Sequence, residues 1–457
     1  MIAVACKRLF CAVALFLASV GVAACDRSSG EVAAPQANSD QLAFPGAVGW
    51  AATTQGGRGG EIIRVTTLAS SGPGSLRAAI ATEGPRIIVF EVGGVIDLAG
   101  DNISIEHPYV TIAGQTAPSP GVTIIKGGLI IRGHDVIVQH LRVRPGDLGE
   151  PPRSGRDIDA ITTIGAYNVI VDHNSLTWAT DENLSASGPR FTGSTPDEWR
   201  KGASHKITFS NNIIAEGLAN STHAKGEHSK GSLIHDNTSD ILIYGNLYAN
   251  NYERSPLFKG GVRGAVVNNF IYNPGQRVFH YNLQGLEWGD VPFENGRMTL
   301  IGNVVRAGPD TPAETPLVML GGDGDLELFM RDNVALRRFG EAMALQGRYT
   351  TSAAKIIDAE GPLDLPEKFT PMDTTMVERY VLANAGARPW DRDVHDVRVL
   401  ADAAEGRGGI IDSQDEVGGY PKMDKTERPF DPDQWNLENM EPLSDSLYDA
   451  GSSARGT

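Results

Sequence analysis

The sequence predicts an all-β solenoid, a stack of short strand-dominated coils, and three observations predict it. Short β-branched or apolar strands recur, each followed by an asparagine at one aligned position. Glycine supplies 53 of 457 residues, about 12% against an average near 7%, which points to many tight turns. The gaps between the strands lack the long amphipathic patterns that βαβ units require.

Residues 1–25 read as an export signal, with a basic start at Lys7 and Arg8 and an apolar run from Leu9 to Val22. That run is short for a bilayer span and suits a leader. Val22-Ala23-Ala24-Cys25 resembles a bacterial lipobox, in which Cys25 carries lipid; an ordinary leader cut near Ala24 is the alternative. Residues 26–42 read as a Ser/Ala/Pro-rich linker. The folded region is expected to begin near Phe44-Pro45-Gly46 and run to Pro421.

Ser75 to Ile80 reads as a short capped helix that covers the first coil. The repeats follow: NVIVDHNSL from Asn168, KITFSNNII from Lys206, DILIYGNLY from Asp240, AVVNNFIY from Ala265, RMTLIGNVV from Arg297 and LELFMRDNV from Leu326. Their asparagines are Asn174, Asn212, Asn246, Asn269, Asn303 and Asn333, at spacings of 38, 34, 23, 34 and 30. DVIVQHLRV from Asp135 has the same strand without the asparagine. A period of about 20–50 residues means stacked units, and stacked asparagines at a corner satisfy backbone groups that the ladder leaves free. Unequal spacing means loops of unequal length, where function concentrates. A further helix is expected from Asp373 to Asn384, ended by Gly386, and residues 422–457 read as an acidic tail.

The chain has 40 Lys+Arg against 56 Asp+Glu, which argues against a nucleic-acid partner. Loss of the leader removes two of the basic residues and none of the acidic ones, moving the formal charge from −16 to −18. All three cysteines, Cys6, Cys11 and Cys25, lie in the leader, so the mature chain has no disulfide to rely on.

Asp157-Ile158-Asp159 places two carboxylates two residues apart, on one face if the segment is a strand. Together they repel unless a cation sits between them, and hard oxygen donors suit Ca²⁺. His223 and His228 raise a transition metal, but Lys225, Glu227 and Lys230 around them favour a polar loop. His173, beside Asp172, reads as a partnered scaffold histidine rather than a catalytic one.

Asp157 to Ile161, Asn168 to His173, and Thr180 to Ser185 together resemble the core of the pectate lyases of polysaccharide lyase family 1. Arg254-Ser255-Pro256-Leu257-Phe258-Lys259 resembles the family's R-x-P-x-x-R segment. Ala43 to Ala47, Gly72 to Arg77 and Val417 to Pro421 also look like bacterial members. The resemblance implies a right-handed parallel β-helix with an N-terminal capping helix and a C-terminal extension. It also implies calcium-dependent β-elimination on polygalacturonate. Carried over by position, Asp157, Asp159 and Asp181 match calcium ligands. Ser185 stands where a fourth acid is common, leaving Glu182, water or substrate to fill that place. Arg254 matches the proposed base and Lys230 the lysine acting beside it, with Lys225 the competing candidate. Lys259 replaces the second arginine; it keeps the charge and loses the bidentate fork.

A chain at −18 binds a polyanion only through a local positive site, which calcium, Arg254, Lys230 and Lys259 would supply. The expected partner is acidic polysaccharide, the expected state monomeric, and the membrane is reached only through Cys25. A polygalacturonase-like hydrolase would use the carboxylates as an acid–base pair and leave the cations without a role. Pectin lyase has no need of Asp157 and Asp159, and a non-catalytic β-helical binder none of Arg254.

Overall fold

Turns, more than strands, dictate this architecture. At each asparagine corner the residue before the aligned position takes a left-handed backbone: His140, His173, Asn211, Gly245, Asn268, Gly302 and Asp332 have φ between 51° and 69°. Glycine and short polar residues tolerate that conformation best. The next residue then turns inward. Asn174, Asn212, Asn246, Asn269, Asn303 and Asn333 form one continuous side-chain ladder, with amide-to-carbonyl distances of 2.9–3.2 Å. Its first carbonyl accepts the backbone N–H of Leu141, the residue that occupies the corner in the coil without an asparagine.

The computed structural model describes residues 41–228 and 230–444. The expected leader with its lipidated Cys25 and most of the linker lie outside the described residues. Among those described, no helix is long and apolar enough to cross a membrane. The strands stack into three parallel sheets. The first has eleven strands from Glu61–Val65 to Ile356–Asp358, and the second nine, from Ile103–Ile105 to Gln346–Arg348. The third has ten, nine of them parallel, from Val92–Asp97 to Val334–Leu336. Each coil runs from the first sheet through the asparagine corner to the third. A connection of variable length then leads to the second sheet and back to the first. Apolar residues of all three fill the interior, among them Ile112, Val171, Leu184, Phe209, Ile243 and Tyr281.

The helix over the first coil, α1 (Leu76–Ile80), is capped by Ser75, whose Oγ accepts the N–H of Ala78, and buries Leu76, Ala79 and Ile80. A second, α2 (Pro196–Gly202), has a capping box between Thr195 and Glu198. A single turn, α3 (Gly285–Trp288), stands near the site. The expected late helix is α4 (Thr374–Asn384), capped by Asp373. One more, α5 (Val394–Glu405), follows it; Asp393 caps it and Gly406 ends it at φ 74°. Apolar side chains of α4 and α5 pack on the outer face of the third sheet against Ile213, Leu247 and Phe270.

The acidic segment after Pro421 differs from the expected tail as far as Ser444. Thr426–Glu427 pairs antiparallel with Val92 and Gly93 at the edge of the third sheet. Phe430, Trp435 and Met440 bury themselves on Ile87, Val89 and Ala113. Its many charges masked three well-spaced apolar anchors.

Candidate active site

One connection, from the third sheet to the second, carries nearly all the predicted site residues in successive coils. Its backbone is itself a parallel ladder. Ala160 N–H donates to Glu182 O at 3.0 Å, Asn183 N–H to Lys230 O at 3.2 Å, and Gly231 N–H to Glu253 O at 3.1 Å. Glu182, Lys230 and Glu253 therefore stand in register. Asn183 and Asn251 brace the bend from beneath through a 3.1 Å side-chain bond. Residues 157–159 lie in this connection ahead of the strand Ile161–Ile164, so the alternation of a strand does not govern them.

Asp159, Asp181 and Glu182 bring carboxylate oxygens within 4.8 Å of one another. Asp157 is exposed and stands apart from that cluster. Asp159 accepts the Glu182 N–H at 2.9 Å and the Ser185 hydroxyl at 2.8 Å. Burial, then the neighbouring Asp181 charge, push its pKa up. Glu182 is driven well above the ordinary carboxylate range by burial, with the Arg254 charge opposing. Burial would raise Asp181 as well, but the hydrogen bond from His228 and the nearby cations outweigh it and hold it low. Clustered carboxylates at such range repel in their charged forms. A bound hard cation with oxygen ligands would relieve the repulsion, and the donor set fits Ca²⁺.

The cations stand on the next two coils, Lys230 one coil beyond Glu182 and Arg254 one beyond that. Arg254, at φ 64°, directs its guanidinium onto Glu182. Lys230 is 4% exposed and bonds Glu253, with its ammonium 5.1 Å above the Tyr252 ring. Burial, then the Arg254 charge, lower its pKa to about 7. Lys225, the competing candidate, is exposed on the loop above. Lys259 ends the second-sheet strand Leu257–Lys259 and bonds Glu287 of α3 at 2.6 Å; Arg190 reaches the same carboxylate at 2.7 Å. Lys259 is thus set apart from the Lys230–Arg254 pair by an acid of its own.

Two neighbours, Glu253 and Arg277, escaped sequence reasoning, and the surroundings of two histidines were not foreseen. Glu253 takes both Lys230 and Arg277, and Arg277 lies 4.2 Å over the Tyr349 ring. Arg277 follows Arg254 by 23 residues, the interval between Asn246 and Asn269, so the repeat register held the signal. His223 and His228, read as part of a polar loop, are buried against Asp181. His173 sits at the asparagine corner, its Nδ1 2.7 Å from Asp172.

No protein-family model matches the chain. Over 409 residues it is 32% identical to probable pectate lyase C of Emericella nidulans, spanning 86% of this chain and 83% of that protein. Over 271 residues it is 38% identical to probable pectate lyase C of Aspergillus terreus, spanning 59% and 55%. Among solved structures it is similar to a thermostable pectate lyase, with 16% identity, a TM-score of 0.48 and coverage of 76% and 99%. It is also similar to the cedar pollen allergen jun a 1, with 18% identity, a TM-score of 0.47 and coverage of 75% and 92%. Sequence identity sustained through most of both chains identifies this all-β solenoid as a polysaccharide lyase of the pectate lyase family.

Proposed function

We propose that the chain is exported and cleaves polygalacturonate by calcium-dependent β-elimination, leaving 4,5-unsaturated oligogalacturonides. The observation that carries this reading is the stacking of a carboxylate cluster, Lys230 and Arg254 on successive turns of one connection of the solenoid, with Glu182, Lys230 and Glu253 in register. Asp159 and Asp181 would hold the calcium, with Glu182 beside them and Asp157 at the exposed margin. Bound there, calcium would neutralise a galacturonate carboxylate and so acidify the proton on the adjoining C5.

Lys230 binds the same substrate carboxylate and stabilises the charge that develops as the proton leaves. Arg254 takes the C5 proton. The freed electron pair forms the C4–C5 double bond, the C4–O bond breaks, and the departing oxygen takes a proton from solvent. Arg254 must first be drawn from Glu182, because a carboxylate partner favours the protonated guanidinium. The acidic cluster offers Glu182 that alternative once a cation occupies it. Lys259 and Arg190 share Glu287, with which a neighbouring sugar's carboxylate would compete.

The test is polygalacturonate digestion followed by the ultraviolet absorbance of the conjugated product, with calcium and then with excess chelator. Absorbance that needs calcium is expected. Reducing ends without absorbance would replace elimination by hydrolysis, and full activity in chelator would remove calcium from the reaction.

A further inference from the structure

Two buried histidines flank the acidic cluster and have no part in the reaction above. His223 is 4% exposed and His228 5%. Their rings stack with centroids 3.7 Å apart and planes 7° from parallel. Both Nε2 atoms face one atom, Asp181 Oδ1, His228 at 2.7 Å and His223 at 3.8 Å. Two imidazoles and a carboxylate converging this way resemble a nitrogen-rich transition-metal site. The hydrogen bonding argues otherwise. Nδ1 of His223 accepts the backbone N–H of Lys225 at 3.1 Å, so the proton of the neutral ring sits on Nε2. A ring nitrogen that carries a proton is not a metal ligand. His228 stands at 2.7 Å from a carboxylate oxygen, and a charged carboxylate accepts at that distance only from a donor.

We propose that His228 is a positioning residue for Asp181: its Nε2–H fixes Oδ1 and leaves the second oxygen to the calcium cluster. His223, locked as the Nε2–H tautomer by the Lys225 backbone, holds the His228 ring in place by stacking. The inference rests on the reading of Asp181 as a calcium ligand. Ligand carboxylates elsewhere are oriented by outer partners of this kind, whose loss weakens metal binding by about 10–100-fold. Asp181 and His228 lie 47 residues apart, so the contact exists only because two connections of unequal length stack.

The experiment is calorimetric titration of the full chain with calcium, with circular dichroism to check the fold. His228→Leu should weaken calcium binding about 10–100-fold. His228→Gln, whose amide can donate to the same oxygen, should recover most of that loss. Unchanged affinity in folded His228→Leu, or no recovery in His228→Gln, overturns the proposal. If His228→Leu fails to fold, His223→Ala removes the stacked ring and leaves the His228 imidazole without its support. A severalfold loss is expected there, and no loss overturns the role of the pair. Asp181→Ala separates the two readings: calcium affinity retained in that variant sinks the calcium assignment itself. Zinc titration of the unaltered chain provides the last check. A tight zinc site abolished by both His223→Ala and His228→Leu would make the histidines ligands and refute their positioning role.

Discussion

Asp172 is buried and Asp159 half-buried, yet their carboxyls are moved in opposite directions. Asp172 stands at the asparagine corner. Burial would raise it, but contact with His173 and donors from Gln139, Ser210 and Asn211 outweigh burial and hold it well below the ordinary range. Asp159 stands on the opposite connection, where burial and the Asp181 charge push it up. One corner repeats a single solution, coil after coil, until its polar groups are paired. The other gathers charges that its own partners do not settle. The contrast separates what holds the solenoid together from what it presents to a polyanion: stability resides in the repeating corner and reactivity in the variable one.

The largest effect that could break this division is at Arg254. Arg254→Lys keeps a positive charge and loses the guanidinium geometry. Turnover should fall by about 10²–10⁴-fold, the span ascribed to a positioned acid or base. Thermal unfolding should hardly move, because Arg254 is only partly enclosed and makes no contact with the asparagine ladder. Near-normal kcat in this variant would place the base elsewhere.

Asn246→Ala should do the reverse. The Asn246 carbonyl accepts the N–H of Asn212 at 2.8 Å, and its amide donates to Phe209 O and Asn269 Oδ1, each at 2.9 Å. Truncation orphans several buried groups at once, so a loss of about 2–5 kcal/mol is expected. Denaturant unfolding would measure it. Activity per folded molecule should persist. Asn333→Ala, at the half-buried end of the ladder, should cost less; an equal cost would mean that burial does not set the ladder's contribution.

The same division explains what could be read from sequence. The asparagine corner was legible because each coil repeats it with the same neighbours, and a left-handed residue followed by an inward amide leaves a local signature. The Thr195–Glu198 capping box is equally local, though shadowed by the loop around it. Arg254, Lys230 and the acidic residues were legible through an ordered series of motifs. Their partners were not. Glu253 and His228 meet the site through connections whose lengths follow no rule, so spacing alone does not pair them; Arg277 left a trace only in the 23-residue interval it shares with Asn246 and Asn269. Arg142 and Arg144 would pass for surface charges. They are instead fully buried against Asp393 and Asp396 of the α5 cap region, some 250 residues away. Only the packing of α5 on the third sheet brings them together.

The smallest and sharpest test concerns Ser185, where the two kinds of corner could be exchanged. Its hydroxyl donates to Asp159 Oδ2 at 2.8 Å, so a neutral donor stands where the resemblance implies a fourth acid. Burial and the Asp181 charge raise the Asp159 pKa from the ordinary carboxylate range to about 7, which means that the folded protein binds a proton more tightly than the unfolded chain across that interval. Without calcium, stability should therefore fall as pH rises from about 4 to about 7, and bound calcium should remove that decline. Ser185→Asp replaces the donor with another carboxylate. In chelator it should lower Tm and steepen the pH dependence. With calcium it should bind the ion more tightly, since ligand charge helps to set affinity. The gap between Tm with and without calcium should thus widen in the variant, by about one degree for each ~1 kcal/mol in a chain of this size. Thermal scans at paired pH values, with calcium and with chelator, would show it. A variant destabilised equally in both conditions would mean that position 185 acts through packing alone, and that Asp159 and its neighbours do not gather around an ion.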